Sequence, residues 1–102
     1  MTVDLALDDQ GKVAEVGQEV RACALGQASA SLMGQSVIGK SVDELEAARD
    51  ALTAYLAGKR EDPGDWPGLD VFAPARAHSA RHASIRLAFE AAAEAARIAQ
   101  PR

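Results

Sequence analysis

The stretch of residues 21–39, RACALGQASASLMGQSVIG, decides how the rest of the chain is organised. It follows a Val-containing segment, holds the only cysteine, Cys23, and continues through a run of small residues. Free backbone N–H groups at a helix start lower the pKa of a nearby thiol, so Cys23 at a strand-to-helix junction is a candidate ligand or nucleophile. A single cysteine is also often a small buried hydrophobe, and residue chemistry alone favours that interpretation.

Helical spacing predicts a first helix over about 24–36. Its apolar stripe consists of Ala24 or Leu25, Ala28 and Leu32. Ser29 and Ser31 fall off that stripe. A second helix is predicted over about 42–57, because Ser41 and Glu44 form the pattern of a capping box in which each side chain satisfies a free N–H group.

The chain after the second helix contains a loop and two further helical segments. Trp66, the only tryptophan, is expected to fasten the loop onto the core, and a binding role for it stays open. A short helical turn is predicted at 69–72, ended by Pro74. A long Ala-rich helix follows over about 78–99.

The residues before Cys23 predict a β-hairpin over 2–20. One face of its first strand holds Val3, Leu5 and Leu7, which is the alternation of a half-buried strand. In the second strand Val13 is out of phase with the later valines, and Gly17 is the predicted bulge. Two strands alone are marginally stable, so the helices must cover one face. The prediction is an α+β single domain over 1–102.

Composition excludes several classes of function. The 102 residues have a net charge of -4, and their 11 basic side chains are scattered among 15 acidic ones, which argues against nucleic-acid binding. No apolar run approaches the ~20 residues of a membrane span, and the start lacks the pattern of a signal peptide. One cysteine forms no intrachain disulfide, so we expect a cytoplasmic protein. Cys23 paired with His78 or His82 lacks a third group, so no enzyme is predicted.

Several segments together resemble one known family. The run 21–31 with its ASAS motif, followed by IGKS at 38–41, resembles the G-C-x-(I/L)-x-x-A-S-A-S…GK segment of iron–sulfur cluster assembly scaffold proteins, the SufU/IscU/NifU N-terminal family. Residues 3–8 look like that family's hairpin, and VFAPAR at 71–76 looks like its approach to the final helix. RHASIRLAFEA at 81–91 is similar to the R-x-x-C-x-x-L-x-W-x-A-L pattern of the SufU branch.

The resemblance implies a small antiparallel sheet packed against three to four helices. It also implies a site where three cysteines and an aspartate or histidine bind a nascent iron–sulfur cluster or zinc ion, because these metals prefer thiolate donors. On this sequence only Cys23 matches a ligand. The family's first ligand loop, C-G-D, would precede Met1, so we expect an N-terminally truncated member. Ser84 occupies a family Cys position and is not expected to ligate, while His82 is a weaker candidate metal ligand.

The resemblance therefore predicts a scaffold-like protein that carries or accepts metal or sulfur through Cys23. A cysteine desulfurase or other assembly proteins would be its partners. The alternative is a metal-free truncated paralogue that acts as a protein-interaction module. The missing first strand leaves the edge of 3–7 unpaired, which predicts a homodimer or a larger even assembly through that edge.

Overall fold

A computed structural model describes residues 1–100, and the end of the predicted domain at Arg102 lies outside the described residues. The elements are β1 Thr2–Leu7, β2 Val13–Glu19, α1 Ala24–Ser36, α2 Val42–Leu56, a 3-10 helix Leu69–Ala77, a 3-10 turn Ser79–Arg81 and α3 His82–Ala99. The described chain forms a two-stranded antiparallel sheet packed against helices, which confirms the α+β fold class.

The hairpin contains a bulge near its turn. Val13 lies opposite Leu7, but the next residue of β2 is skipped in the pairing, so Ala14 is the bulged residue. The predicted bulge at Gly17 is wrong, because Gly17 pairs regularly with Asp4. An extra residue reverses the alternation of side chains along a strand, and this places Val13 in the core, out of phase with the rest of β2.

α1 buries a different face from the one that its sequence indicated. Its buried residues are Gly26, Ser29, Ala30 and Met33. The predicted stripe is wrong, because its alanines are exposed and its leucines are only half-buried. Three of the four buried residues of α1 have small side chains. Because these small residues face α3, the backbones of the two helices lie close together. The buried hydroxyl of Ser29 is satisfied because it donates to the Ile85 carbonyl oxygen at 2.6 Å.

α2 begins at a complete capping box. The Ser41 hydroxyl accepts a hydrogen bond from the Glu44 N–H at 3.1 Å, and the Glu44 carboxylate accepts one from the Ser41 N–H at 3.1 Å. The bond from the Ser41 N–H to the carboxylate is the main reason why the pKa of Glu44 is lowered. After the helix, Gly58 has a φ of 77°, which a glycine adopts without steric cost.

Trp66 fastens the loop after α2 to the core. Its side chain is buried, and its indole N–H donates to the Leu32 carbonyl oxygen at 2.9 Å. The ring meets Phe89 edge-on at 5.1 Å between centroids. An edge-on pair of this kind adds to the stabilisation from burial alone.

The segment before α3 differs from its prediction. The turn predicted at 69–72 is a 3-10 helix that continues to Ala77, because the fixed φ of Pro74 lies within the range of a 3-10 helix and does not end it. α3 begins at His82, later than predicted, because His78 has a non-helical backbone with φ -117° and ψ 79°.

α3 is the centre of the core, and α1, α2 and β1 all pack on it. Its buried residues are Ile85, Ala88, Phe89, Ala92, Ala93 and Ala96. Four of these six are alanines, so the neighbouring elements lie close to the α3 backbone. In the described part of the chain, no helix is both long and apolar enough to cross a membrane.

Removing the Ser41 hydroxyl should destabilise the fold. We expect Ser41→Ala to lower the free energy of unfolding by about 0.5–2 kcal/mol, because a helix N–H group loses its partner. Urea unfolding followed by circular dichroism measures the change. Ser79→Ala, at an exposed serine, is the matched control and should leave the midpoint unchanged. Equal midpoints for the two variants would show that the capping box contributes nothing.

Candidate functional site

Cys23 occupies the N-cap position of α1 and is exposed to solvent. Its backbone is extended, with φ -66° and ψ 173°, and its side chain makes no capping hydrogen bond. The interpretation of Cys23 as a buried core thiol is wrong, because the end of β2 and the start of α1 meet at the surface. The free N–H groups of the first helical turn therefore act on an accessible thiol.

The surroundings of Cys23 lower the pKa of its thiol. The N–H of Gly26 has the largest effect, and the Ser84 hydroxyl comes next. The N–H of Leu25 and the positive charge of Arg81 act in the same direction, while loss of hydration, whose effect is larger than that of either of these two groups, opposes them. Each of the four groups stabilises the negative charge of the thiolate. Cys23 is therefore a better nucleophile and ligand near neutral pH than an isolated cysteine.

Ser84 reaches Cys23 because α1 and the start of α3 are close together. A Cβ atom placed on Gly26 would lie 3.4 Å from the Ser84 carbonyl oxygen and 3.9 Å from its Cβ atom. The structure thus brings together Cys23 and Ser84, the residue that the sequence resemblance predicts to stand at a family cysteine position. A serine hydroxyl donates a hydrogen bond to a thiolate but stays protonated near neutral pH, so this pair offers one soft donor atom.

His82 uses one ring nitrogen in a structural role. Its Nε2 atom lies 3.0 Å from the Ala75 carbonyl oxygen and 3.2 Å from that of Arg76. Carbonyl oxygens only accept hydrogen bonds, so this nitrogen is the protonated donor and has no lone pair for a metal. Metal binding by His82 stays a prediction, and the metal would have to bind the other ring nitrogen, Nδ1. His78 is exposed.

The donors around Cys23 do not amount to a metal-binding cage. Within residues 1–100, no three His, Cys, Asp or Glu side chains are arranged to bind a metal ion. A groove of about 380 Å³ opens between the start of α1 and the 3-10 helix. Its walls are mainly apolar, with Leu25 and Phe72 among them, and Arg81 lies at its edge.

Two residues near the site were missed by sequence reasoning. Arg81 precedes Ser84 by three residues, which is about one helical turn. The spacing therefore indicated that both side chains lie on the same side of the start of α3. Ser29 was placed off the apolar stripe because only large apolar residues were counted. The small residues Gly26, Ser29 and Ala30, with Met33, show the same three-and-four spacing and would have indicated the buried face.

Comparison with known proteins finds one informative neighbour. No family model matches the sequence, and no curated protein matches it. The crystal structure of a nitrogen-fixing NifU-like protein (N-terminal) from Brucella abortus superposes with a TM-score of 0.86. The two sequences are 44% identical, and the match covers 95% of this chain and 67% of that one. Together with the motif around Cys23, this similarity shows that the chain belongs to the NifU-like family of iron–sulfur cluster assembly scaffolds.

Proposed function

We propose that this protein is an assembly scaffold that accepts sulfur or metal through Cys23. The observation that supports this most is the exposed thiol with a lowered pKa, held beside the residue at another ligand position of the family. Scaffolds bind and pass on their cargo without turning over a substrate. Membership of this family confirms the prediction that the chain is not an enzyme.

Sulfur acceptance needs only one nucleophilic thiolate. The Cys23 thiolate attacks the outer sulfur of a persulfide, R–S–SH, on a donor protein. A new S–S bond forms at Cys23, the S–S bond of the donor breaks, and the donor leaves as the thiolate R–S⁻, so no external oxidant or reductant is required. The helix N–H groups and Arg81 support this step, because they raise the fraction of Cys23 in the reactive form.

Metal acceptance requires donors beyond those near Cys23. Iron and zinc prefer several thiolates, and Ser84 supplies only a neutral hydroxyl. We therefore propose that Cys23 contributes one ligand to a zinc ion or nascent iron–sulfur cluster and that a second molecule completes the set. A cysteine desulfurase, or another assembly protein, is the proposed partner because it brings sulfur and further donors. The proposed location of this exchange is the cytoplasm.

The alternative, a metal-free interaction module, is not favoured. Family membership supports the scaffold role, and a thiol whose pKa is lowered by four neighbouring groups has no use in an inert module. An inert paralogue would tolerate loss of the thiol without any change in chemistry. The tests below distinguish the two functions.

Dimerisation through β1 remains part of the proposal. In the described chain β1 pairs with β2 alone, so its second edge is unpaired. Two-fold antiparallel pairing sets one residue of the strand opposite its own copy, because opposed side chains share a face of the sheet. Pairing centred on Leu5 would set Val3 opposite the partner's Leu7 and would keep Asp4 away from its own copy. The two Cys23 residues would then lie near opposite ends of a four-stranded sheet, since the four steps from Val3 to Leu7 span about 14 Å. Such a dimer would hold two separate sites.

The thiol of Cys23 should react at lower pH than a free cysteine. We expect the rate of alkylation by iodoacetamide to rise with a midpoint below the ordinary cysteine pKa, because the thiolate is the reacting form. Ser84→Ala should move that midpoint to higher pH, since one stabilising hydroxyl is lost. Ser79→Ala is the control, because Ser79 is not among the groups that shift the pKa of Cys23. A wild-type midpoint at the free-cysteine value would contradict the site geometry.

Metal and sulfur binding should depend on Cys23. Anaerobic reconstitution with iron and sulfide, and separate zinc titration, should give bound metal for the wild-type protein and none for Cys23→Ser. Transfer from a small persulfide should add one sulfur atom, about 32 Da, to the wild-type chain alone. Ser84→Cys should bind zinc more tightly, because it places a second thiolate beside the first.

Circular dichroism is the control for this experiment. Cys23→Ser replaces a sulfur atom by oxygen and Ser84→Cys replaces an oxygen atom by sulfur, so the spectra of both variants should match that of the wild type. If Cys23→Ser binds as much metal and sulfur as the wild-type protein, the proposed function is wrong.

Sedimentation should reveal the proposed dimer. We expect a dimer at tens of micromolar protein, and Ala6→Glu should shift it towards monomer because it sets a second carboxylate opposite the partner's Asp4. Ala6 and the control position Ala47 are both exposed, so Ala47→Glu should leave the dimer intact. A wild-type monomer at that concentration would overturn this assignment.

A further inference from the structure

The groove between the start of α1 and the 3-10 helix combines an apolar lining with positive charge. Its lining includes Arg81 and His78, and no acidic side chain of the described chain takes part in it. The chain has 15 acidic residues, but none of them lies within 20–42 or 71–89, the two segments that form the walls. Asp70, the acidic residue of the 3-10 helix, lies outside the lining. The groove is therefore a positively charged feature of an acidic protein.

The 3-10 helix carries two rows of apolar side chains. Because this helix has three residues per turn, side chains three positions apart lie on the same face. One row, formed by Leu69, Phe72 and Ala75, is buried in the core. The other row contains Val71 and Pro74, which are both exposed and both line the groove. Single exposed apolar residues are common, but a row that continues into an apolar groove indicates an interaction surface.

Arg81 is available to bind an anion at this groove. Its guanidinium group forms no ion pair with a described residue. The other arginines of 71–89 already have partners, because Arg76 donates to two backbone carbonyl oxygens and Arg86 pairs with Glu90. A guanidinium group can donate two parallel hydrogen bonds to one carboxylate, so a carboxylate is the partner that fits Arg81 best.

We propose that this groove binds a short segment of a partner protein in which an apolar side chain lies next to a carboxylate. The apolar side chain packs against Leu25, Val71 and Pro74, and the carboxylate accepts hydrogen bonds from Arg81. Charge complementarity selects this occupant, because the groove attracts acidic segments and repels basic ones. A volume of about 380 Å³ holds a few side chains, so the contact is small and transient. The inference goes beyond the proposed function, since binding here uses neither the thiol nor a metal.

Peptide selection tests the chemistry of the occupant. The probe is a phage-displayed library of short random peptides, selected against the immobilised wild-type protein. We expect the selected sequences to place Asp or Glu beside a large apolar residue, and the synthetic peptides to bind with dissociation constants of about 10–100 μM in fluorescence polarisation. A selection that returns no binder, or only basic or uncharged sequences, would overturn the inference.

Two pairs of variants test where the selected peptide binds. Arg81→Gln should weaken its binding about tenfold, because charge-assisted hydrogen bonds are lost. Lys59→Gln is the matched control, since it removes the same charge from an exposed residue outside the groove. Val71→Ser should also weaken binding about tenfold through lost apolar contact, whereas Ile98→Ser, at a residue of similar exposure, should not. Equal affinities within either pair would contradict the assignment, provided that circular dichroism shows all four variants folded.

A second copy of this chain is the other candidate occupant, because the chain itself is acidic. If a second copy filled the groove, Arg81→Gln and Val71→Ser would lower the sedimentation coefficient at tens of micromolar protein, and the inference would be wrong. We expect both variants to sediment like the wild type. Cys23→Ser should bind the selected peptide as tightly as the wild type does, and loss of binding in this variant would also overturn the inference. Peptide binding and cargo binding can therefore fail separately.

Discussion

The structure depends on how closely its elements approach α3. Two helices and the hairpin pack on this one helix, and four of its six buried residues are alanines. Close approach of backbones replaces the large side chains that a chain with 4% aromatic residues lacks. Where α1 packs against the start of α3, its buried residues include the small residues Gly26, Ser29 and Ala30. The same closeness that builds the core therefore also places Ser84 beside Cys23.

The chemistry of the site follows from this packing and from the serine, Ser84, that lies beside the thiol. Helix geometry and Arg81 stabilise a thiolate at Cys23, and these features need no metal. The neighbouring Ser84 is a neutral hydroxyl, so the two side chains offer one nucleophile and one soft donor atom. The proposed acceptance of sulfur requires no more than this, whereas the proposed cluster would require further donors.

Much of the fold was predictable from residue patterns, and the parts that were not share a cause. The alternation of Val3, Leu5 and Leu7 identified the first strand, and the capping residues identified the start of α2. The failures at Ala14 and Ser29 both depend on partners outside the element in which each residue lies. A bulge is decided by the opposite strand, and the burial of a serine is decided by a carbonyl 56 residues away. The exposure of Cys23 likewise depends on where two elements meet, which local composition does not contain.

The alanine-rich face of α3 limits how this protein can change over time. A core of large side chains mainly suffers from replacements that leave cavities, but alanines have almost nothing to lose by shrinking. Apart from glycine, every substitution at Ala88, Ala92 or Ala96 adds volume, and overpacking pushes whole elements apart. The exposed side chain of Cys23 lies outside this constraint, but Gly26 beside it does not, because a Cβ atom there would lie 2.7 Å from the Cβ atom of Ala22. The packing that holds the fold together therefore also restricts which residues can stand next to the thiol.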